Sequence, residues 1–130
     1  MSDPLVVYIV VRGDLGMSTG KVCAQVGHSI QYLMSHYFKL ILVETKIKST
    51  TCEHQHAEDM MKWEKYGSTK IVLKASDKQW GVLKEVFAKE SFIVRDAGKT
   101  EIKSGEETCM ALWPAPKSKA HLLIQELPLL

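Results

Sequence analysis

Two short stretches of the chain carry side chains that could act on an anionic or acyl centre. In the first, Arg12-Gly13-Asp14 follows an apolar run, and Ser18-Thr19-Gly20-Lys21 opens a segment of helical period. A lysine in the first turn of a helix adds a full charge to free backbone N–H groups and the positive end of the helix dipole, which favours an anion there. This is not a P-loop, because Leu15 stands where the first glycine belongs and Val22 follows the lysine. Gln25 and His28 lie one and two turns beyond Lys21, within reach of a shared site. The second stretch is Arg95-Asp96-Ala97-Gly98-Lys99-Thr100, followed by Ser104-Gly105 and Thr108. A carboxylate at a strand end with hydroxyls beside it could polarise a water and hold an oxyanion or a ribose hydroxyl. Each stretch also has a plainer reading: an exposed lysine on a first turn, and a tight turn in which Asp96 and Gly98 serve the backbone.

Other chemistries fare worse. Cys52-Glu53-His54-Gln55-His56 has metal-ligand residue types, but no second pair at finger-like spacing accompanies it. Cys23 has no nearby base to activate it and reads as a small packing residue. Neither a Gly-x-Ser-x-Gly elbow nor a glycosidase-like arrangement of acids is present.

The elements that must position these residues alternate between strand and helix. Residues 5–11 form a continuous β-branched and aromatic run, expected of a central strand covered on both faces. Ser18 or Thr19 can cap a long helix whose apolar positions are Val22, Val26, Ile30, Leu33/Met34 and Tyr37/Phe38. Residues 40–43 either continue it or form a separate element. Residues 45–56 are polar without a clear period and read as a loop. Residues 57–66 read as a short helix with Met60, Met61 and Glu64 on one face, stopped by Gly67. Residues 71–73 form a second strand. Ser76 and Gln79 have capping-box spacing before a helix with a Trp80, Leu83 and Phe87 stripe. Strands at 92–95 and 108–113 follow, then Pro114-Ala115-Pro116, a last helix and a short apolar tail. The pattern predicts a single α/β domain over residues 1–130 with a partly parallel sheet.

Composition agrees with one folded domain. The chain has 130 residues, 45% of them hydrophobic, with 8 Gly and 4 Pro, which excludes disordered and collagen-like classes. Three cysteines are an odd count, so a reducing compartment is expected rather than a disulfide scaffold. No signal or membrane segment is read at the start, which favours the cytoplasm. The net charge of +2 conceals an asymmetry: residues 60–103 carry ten Lys and Arg against six acids, and the remainder is net negative. A basic half of this kind either contacts phosphates or is solvated surface.

Taken jointly, residues 10–29, the strand Lys70-Ile71-Val72-Leu73-Lys74 and the stretch from Asp96 to Pro114-Ala115-Pro116 resemble the type 2 peptidyl-tRNA hydrolase family, nearly end to end. The resemblance implies a three-layer α/β/α sandwich with a four-stranded mixed sheet. It also implies hydrolysis of the ester joining a peptide to the terminal ribose of tRNA, with no metal or organic cofactor. The substrate is then peptidyl-tRNA, no membrane is involved, and a homodimer is compatible with the resemblance. The family's reaction residues fall on Lys21, Asp96, Thr100 and Thr108; Gln25, His28 and Lys99 are expected to contact substrate. On this reading Asp96 orients or activates water, Lys21 stabilises developing negative charge, and the two threonines hydrogen-bond the intermediate or the ribose. The chain departs from the family pattern at Thr19, Cys23, Glu106-Glu107 and Leu112-Trp113. The cation missing at Thr19 and the two added acids bear on substrate affinity more than on the chemistry, and Trp113 reads as packing rather than as a base-stacking surface. A non-catalytic RNA- or protein-binding module of the same fold is the competing reading.

Overall fold

The computed structural model describes residues 3–44, 51–98 and 102–130, without the side chains of 43, 44 and 51–53. The run read as a central strand is β1, Leu5–Arg12. Val6 to Val11 are all buried, because helices cover both faces of the strand. It is followed by a single 3-10 turn, Gly13–Leu15, and by α1, Thr19–Glu44. The Ser18 hydroxyl accepts the Lys21 N–H at 3.3 Å, which makes Ser18 the cap and places Lys21 third in the helix. α1 buries Leu33, Tyr37 and Leu40, while Phe38 points to solvent. Residues 40–43 continue the same helix.

α2, Thr51–Lys65, starts inside the segment expected to be a loop. His54 and Gln55 there face solvent and are held by pairs one turn apart: His54 with Glu58 at 3.1 Å and Gln55 with Asp59 at 3.0 Å. Its buried stripe is Ala57, Met60 and Trp63, and Met61 is exposed, so the face expected from Met60, Met61 and Glu64 is rotated. β2, Lys70–Ala75, leads to α3, Asp77–Val86, where the Ser76–Gln79 capping box forms in both directions. β3, Ser91–Arg95, and β4, Glu107–Leu112, follow. The two-residue β5, Ala115–Pro116, and the single-turn α4, Leu122–Gln125, complete the order.

The sheet runs β2-β1-β4-β3, with β1 and β2 parallel and β4 antiparallel to both β1 and β3; β5 pairs with the start of β1. Alternation along β1 sends Val7 and Ile9 to one face, against Leu33, Tyr37, Met60 and Trp63. Val6, Tyr8 and Val10 go to the other, against Trp80, Leu83 and Ile124. The result is three layers, with α1 and α2 on one side and α3 and α4 on the other. The C-terminal tail pairs with the outer edge of β2 through Lys74 N–H to Pro128 C=O at 2.9 Å and Leu130 N–H to Val72 C=O at 3.1 Å, so that edge is not left open.

Candidate active site

Because β4 is antiparallel to its neighbours, the carboxyl ends of β1, β2 and β3 meet the start of β4 at one end of the sheet. The first turn of α1 returns to that same end. In α/β sheets this is where sites collect, since the loops leaving the strands converge there. The topology thereby brings Lys21, Asp96, Gln25 and Thr108 together.

Lys21 Nζ lies 2.5 Å from Asp96 Oδ1, with the side chains 11% and 3% exposed. The second carboxylate oxygen accepts the Gly98 N–H at 2.7 Å, and Gln25 Nε2 donates to Oδ1 at 2.9 Å. The hydrogen bond from Lys21 holds the Asp96 carboxyl below its ordinary 3.8. Desolvation pushes the other way, and the Gly98 N–H and the Gln25 amide add to the lowering. The group is thus a carboxylate at neutral pH. An ionised carboxylate can only accept, so the amide nitrogen of Gln25 must face it and the amide oxygen must face away. That oxygen accepts the Thr108 hydroxyl at 2.8 Å, and Cys109 Sγ donates to the Gln25 carbonyl at 3.2 Å. The chain of contacts runs from Lys21 through Asp96 and Gln25 to Thr108, with directions fixed throughout.

Backbone geometry holds Asp96 from beneath. Its N–H donates to Glu106 C=O at 2.9 Å and its C=O accepts from Gly105 N–H at 2.7 Å. Gly98 has φ +74°, and a Cβ there would sit 2.6 Å from the Ser104 Cβ, so no other residue fits without displacing the 104–106 segment. The turn reading of Asp96 and Gly98 and the carboxylate reading are therefore compatible, because one local structure serves both.

Thr108 is fully buried and Gln25 almost so; the Gln25 amide is spent on Asp96 and Thr108, and the Thr108 hydroxyl, closest to Gln25, also lies 3.4 Å from the Val94 carbonyl. Their positions make them supports for the carboxylate. His28 is exposed on α1, beyond the buried network. Lys99 and Thr100 lie outside the described residues. Cys109 is buried, and desolvation pushes its thiol up to about 12, which removes it as a nucleophile at neutral pH. Among the described residues no cluster of three or more His, Cys, Asp or Glu is placed to hold a metal ion. His54 and His56 point to separate partners, Glu58 and Glu90.

Arg12 has a larger structural part than its residue type and position alone indicate. It is buried at the end of β1 and its guanidinium grips Asp14 in a fork, at 2.7 and 3.2 Å. It also donates to Glu106, to the Glu107 carbonyl at 3.1 Å and to Asp77 at 3.2 Å. It ties the segment before α1, the start of α3 and the strand start beside Asp96. A cation at the end of an otherwise apolar strand is the available sequence signal for such a role. Glu106 and Glu107, the added acids expected to bear on substrate affinity, are each paired: Glu106 with Arg12, and Glu107 with Lys84 at 2.8 Å and Arg95 at 3.0 Å.

Trp113 lies at the opposite end of β4. It stacks on His56 with centroids 4.6 Å apart and takes the edge of Phe92 at 5.2 Å, so its surface is used in packing. A cavity of about 680 Å³ opens there between Tyr8, Phe87, Trp113 and Ile124, remote from Asp96.

The fold and site define a three-layer α/β domain with an ion-paired polar network at the carboxyl ends of its strands. The family model described as peptidyl-tRNA hydrolase PTH2 matches residues 5–130, and the chain belongs to that family. Peptidyl-tRNA hydrolase of Methanopyrus kandleri is 32% identical over 94% of this chain and 95% of its own length. The Saccharolobus islandicus peptidyl-tRNA hydrolase is 32% identical over 94% of this chain and 96% of its own. A probable peptidyl-tRNA hydrolase 2 of Dictyostelium discoideum is 34% identical over 93% of this chain, which spans 52% of that longer protein. No helix among the described residues is long and apolar enough to cross a membrane.

Proposed function

We propose that this protein hydrolyses the ester between a peptide and the terminal ribose of tRNA, using Lys21 and Asp96 as the pair that acts on substrate. The observation that supports this most directly is the shielded Lys21–Asp96 contact, with the carboxylate orientation fixed by Gln25 and Gly98. Ester hydrolysis needs a placed water and stabilisation of the oxyanion that forms as water adds. A depressed carboxyl is a weak base, so in this reading Asp96 chiefly orients the water and accepts a hydrogen bond from it. Lys21, third in α1 and close to the free N–H groups of the first turn, supplies positive charge to the developing oxyanion. Thr100 is kept as a hydrogen-bond donor to the intermediate or ribose, and Lys99 and His28 as substrate contacts.

Thr108 and Gln25 act through Asp96 in this scheme. Thr108 holds the Gln25 amide in one orientation, and Gln25 holds the carboxylate beside Lys21. The basic half of the chain, residues 60–103, would meet tRNA phosphates. We also infer a cytoplasmic enzyme, a compartment in which translation runs, and retain the homodimer as an assembly to be read by light scattering. The test of the activity is release of peptide from purified peptidyl-tRNA by the wild type and by Asp96→Ala. Loss of release in the variant supports the reading; tRNA binding by the wild type without release would instead favour a non-catalytic module.

A further inference from the structure

Glu107 opens β4 at the end of the sheet that carries Asp96, and its carboxylate is the meeting point of three donors. Lys84 Nζ lies at 2.8 Å, Arg95 at 3.0 Å and Trp80 Nε1 at 3.2 Å. Desolvation pushes the Glu107 carboxyl up, but the hydrogen bonds from Lys84 and Trp80 and the charges of Lys84 and Arg95 outweigh it and hold it below its usual value. The acid sits behind its cations: the Glu107 side chain is 13% exposed, against 39% for Lys84 and 63% for Arg95. Those two cations and Lys103 face an open cleft of about 450 Å³. Glu106, on the same wall, pairs with Arg12, a cation it shares with Asp14 and Asp77, and its backbone carbonyl receives the Asp96 N–H. The cleft therefore begins at the segment that holds the candidate catalytic carboxylate.

We propose that this cleft is a subsite for a phosphodiester of the tRNA strand that ends at the reacting ribose, and that Glu107 is a positioning residue aiming Lys84 and Arg95 into it. The inference rests on the peptidyl-tRNA reading above. An incoming phosphate meets the exposed nitrogens of Lys84, Arg95 and Lys103 before it approaches the shielded carboxylate. Arg95 spends part of its guanidinium on Glu107 and keeps its remaining N–H donors for a second anion. Long cationic side chains lose rotamer freedom when they bind, and anchoring them beforehand removes part of that cost. Glu107 thus has the opposite sense from a simple repulsive acid.

A double-mutant cycle distinguishes the two senses. The dissociation constant of deacylated tRNA is measured across a KCl titration for the wild type, Arg95→Ala, Glu107→Gln and the double variant, with KM and kcat for peptidyl-tRNA measured in parallel. Arg95→Ala should raise the dissociation constant about fivefold and make the slope of log affinity against log salt shallower by about 1. The loss should fall on KM rather than kcat. In the Glu107→Gln background the same Arg95→Ala change should cost less than about twofold, because an unanchored Arg95 contributes less. Lys103→Ala, an exposed change outside the Glu107 cluster, should flatten the salt slope in both backgrounds and guards against a misfolded Glu107 variant. An Arg95→Ala cost that is equal or larger in the Glu107→Gln background would overturn the positioning role. A salt slope unchanged by Arg95→Ala and Lys103→Ala, with peptide release intact, would overturn the subsite while leaving the enzymatic reading standing. A wild type that neither binds tRNA nor releases peptide overturns both.

Discussion

Lys21 and Asp96 stand in direct contact at 2.5 Å although one belongs to the first turn of α1 and the other follows directly on β3. Removing either partner of a shielded pair leaves the other charge uncompensated. Lys21 can reach water along its long side chain, so the charge left behind is cheaper on its side. Lys21→Ala and Asp96→Ala should each lower kcat by about 100-fold or more. Circular dichroism and a cooperative melt should show both variants folded. Turnover within tenfold of wild type in a folded variant would remove the residue from the reaction.

The Thr108 hydroxyl predicts a sharp difference between two conservative substitutions. Thr108→Ser keeps the donor to Gln25 Oε1 and should retain most activity. Thr108→Val keeps the shape but leaves the amide oxygen without its 2.8 Å partner, so Gln25 loses its fixed orientation. An unsatisfied buried polar atom costs about 1–3 kcal/mol. Steady-state kinetics should show kcat reduced about tenfold for Thr108→Val with KM little changed. Gln25→Leu should give a comparable loss, and the double variant should be far from additive. Independent effects at the two positions would mean that the network does not act as a unit.

Gly98→Ala tests the backbone that carries Asp96. At φ +74° with Ser104 against the new Cβ, the substitution combines left-handed strain with a clash. Such strain costs about 1–3 kcal/mol, and relief by movement of the turn would pull the Gly98 N–H from its 2.7 Å contact with Asp96. The expected result is a lower Tm together with reduced kcat. Unchanged values of both would show that the turn is more compliant than its geometry implies.

The pH dependence follows from the direction of the Asp96 shift. The folded carboxyl is held below 3.8 first by Lys21 and then by Gly98 and Gln25, against the opposing effect of burial. Its contribution to stability is present above 3.8 and is lost as pH falls through the lower folded value. The Tm difference between wild type and Asp96→Asn should therefore be constant from neutral pH down to about 4 and narrow below it. Activity should show no protonation limb from Asp96 above pH about 4. A limb near neutrality that disappears in Asp96→Asn would contradict the depressed value.

Much of the fold is legible in the chain because its signals are local. The β1 run, the Ser76–Gln79 capping box and the α1 stripe each depend on residues within one element. α2 is less legible: its buried stripe begins at Ala57, whereas His54 and Gln55 in the turn before it are exposed and held by pairs such as His54–Glu58. In the site, Lys21 and Asp96 are each visible as chemistry at an element end. Their joining by Gln25 is not, because it depends on α1 crossing the start of β4 so that Gln25 meets both Asp96 and Thr108. The same holds for Arg12 with Glu106 and for Glu107 with Lys84 and Arg95. Reading along the chain counts those acids as repulsive, and only the packing of α3, β1 and β3 around the start of β4 shows which cations they face.

The central claim is that a fixed Lys21–Asp96 pair hydrolyses peptidyl-tRNA, and single-turnover release of peptide from a defined peptidyl-tRNA tests it most directly. Wild type should release peptide and free tRNA, while folded Asp96→Ala should bind the same substrate and release peptide at least about 100-fold more slowly. Equal rates of release from wild type and Asp96→Ala would contradict it.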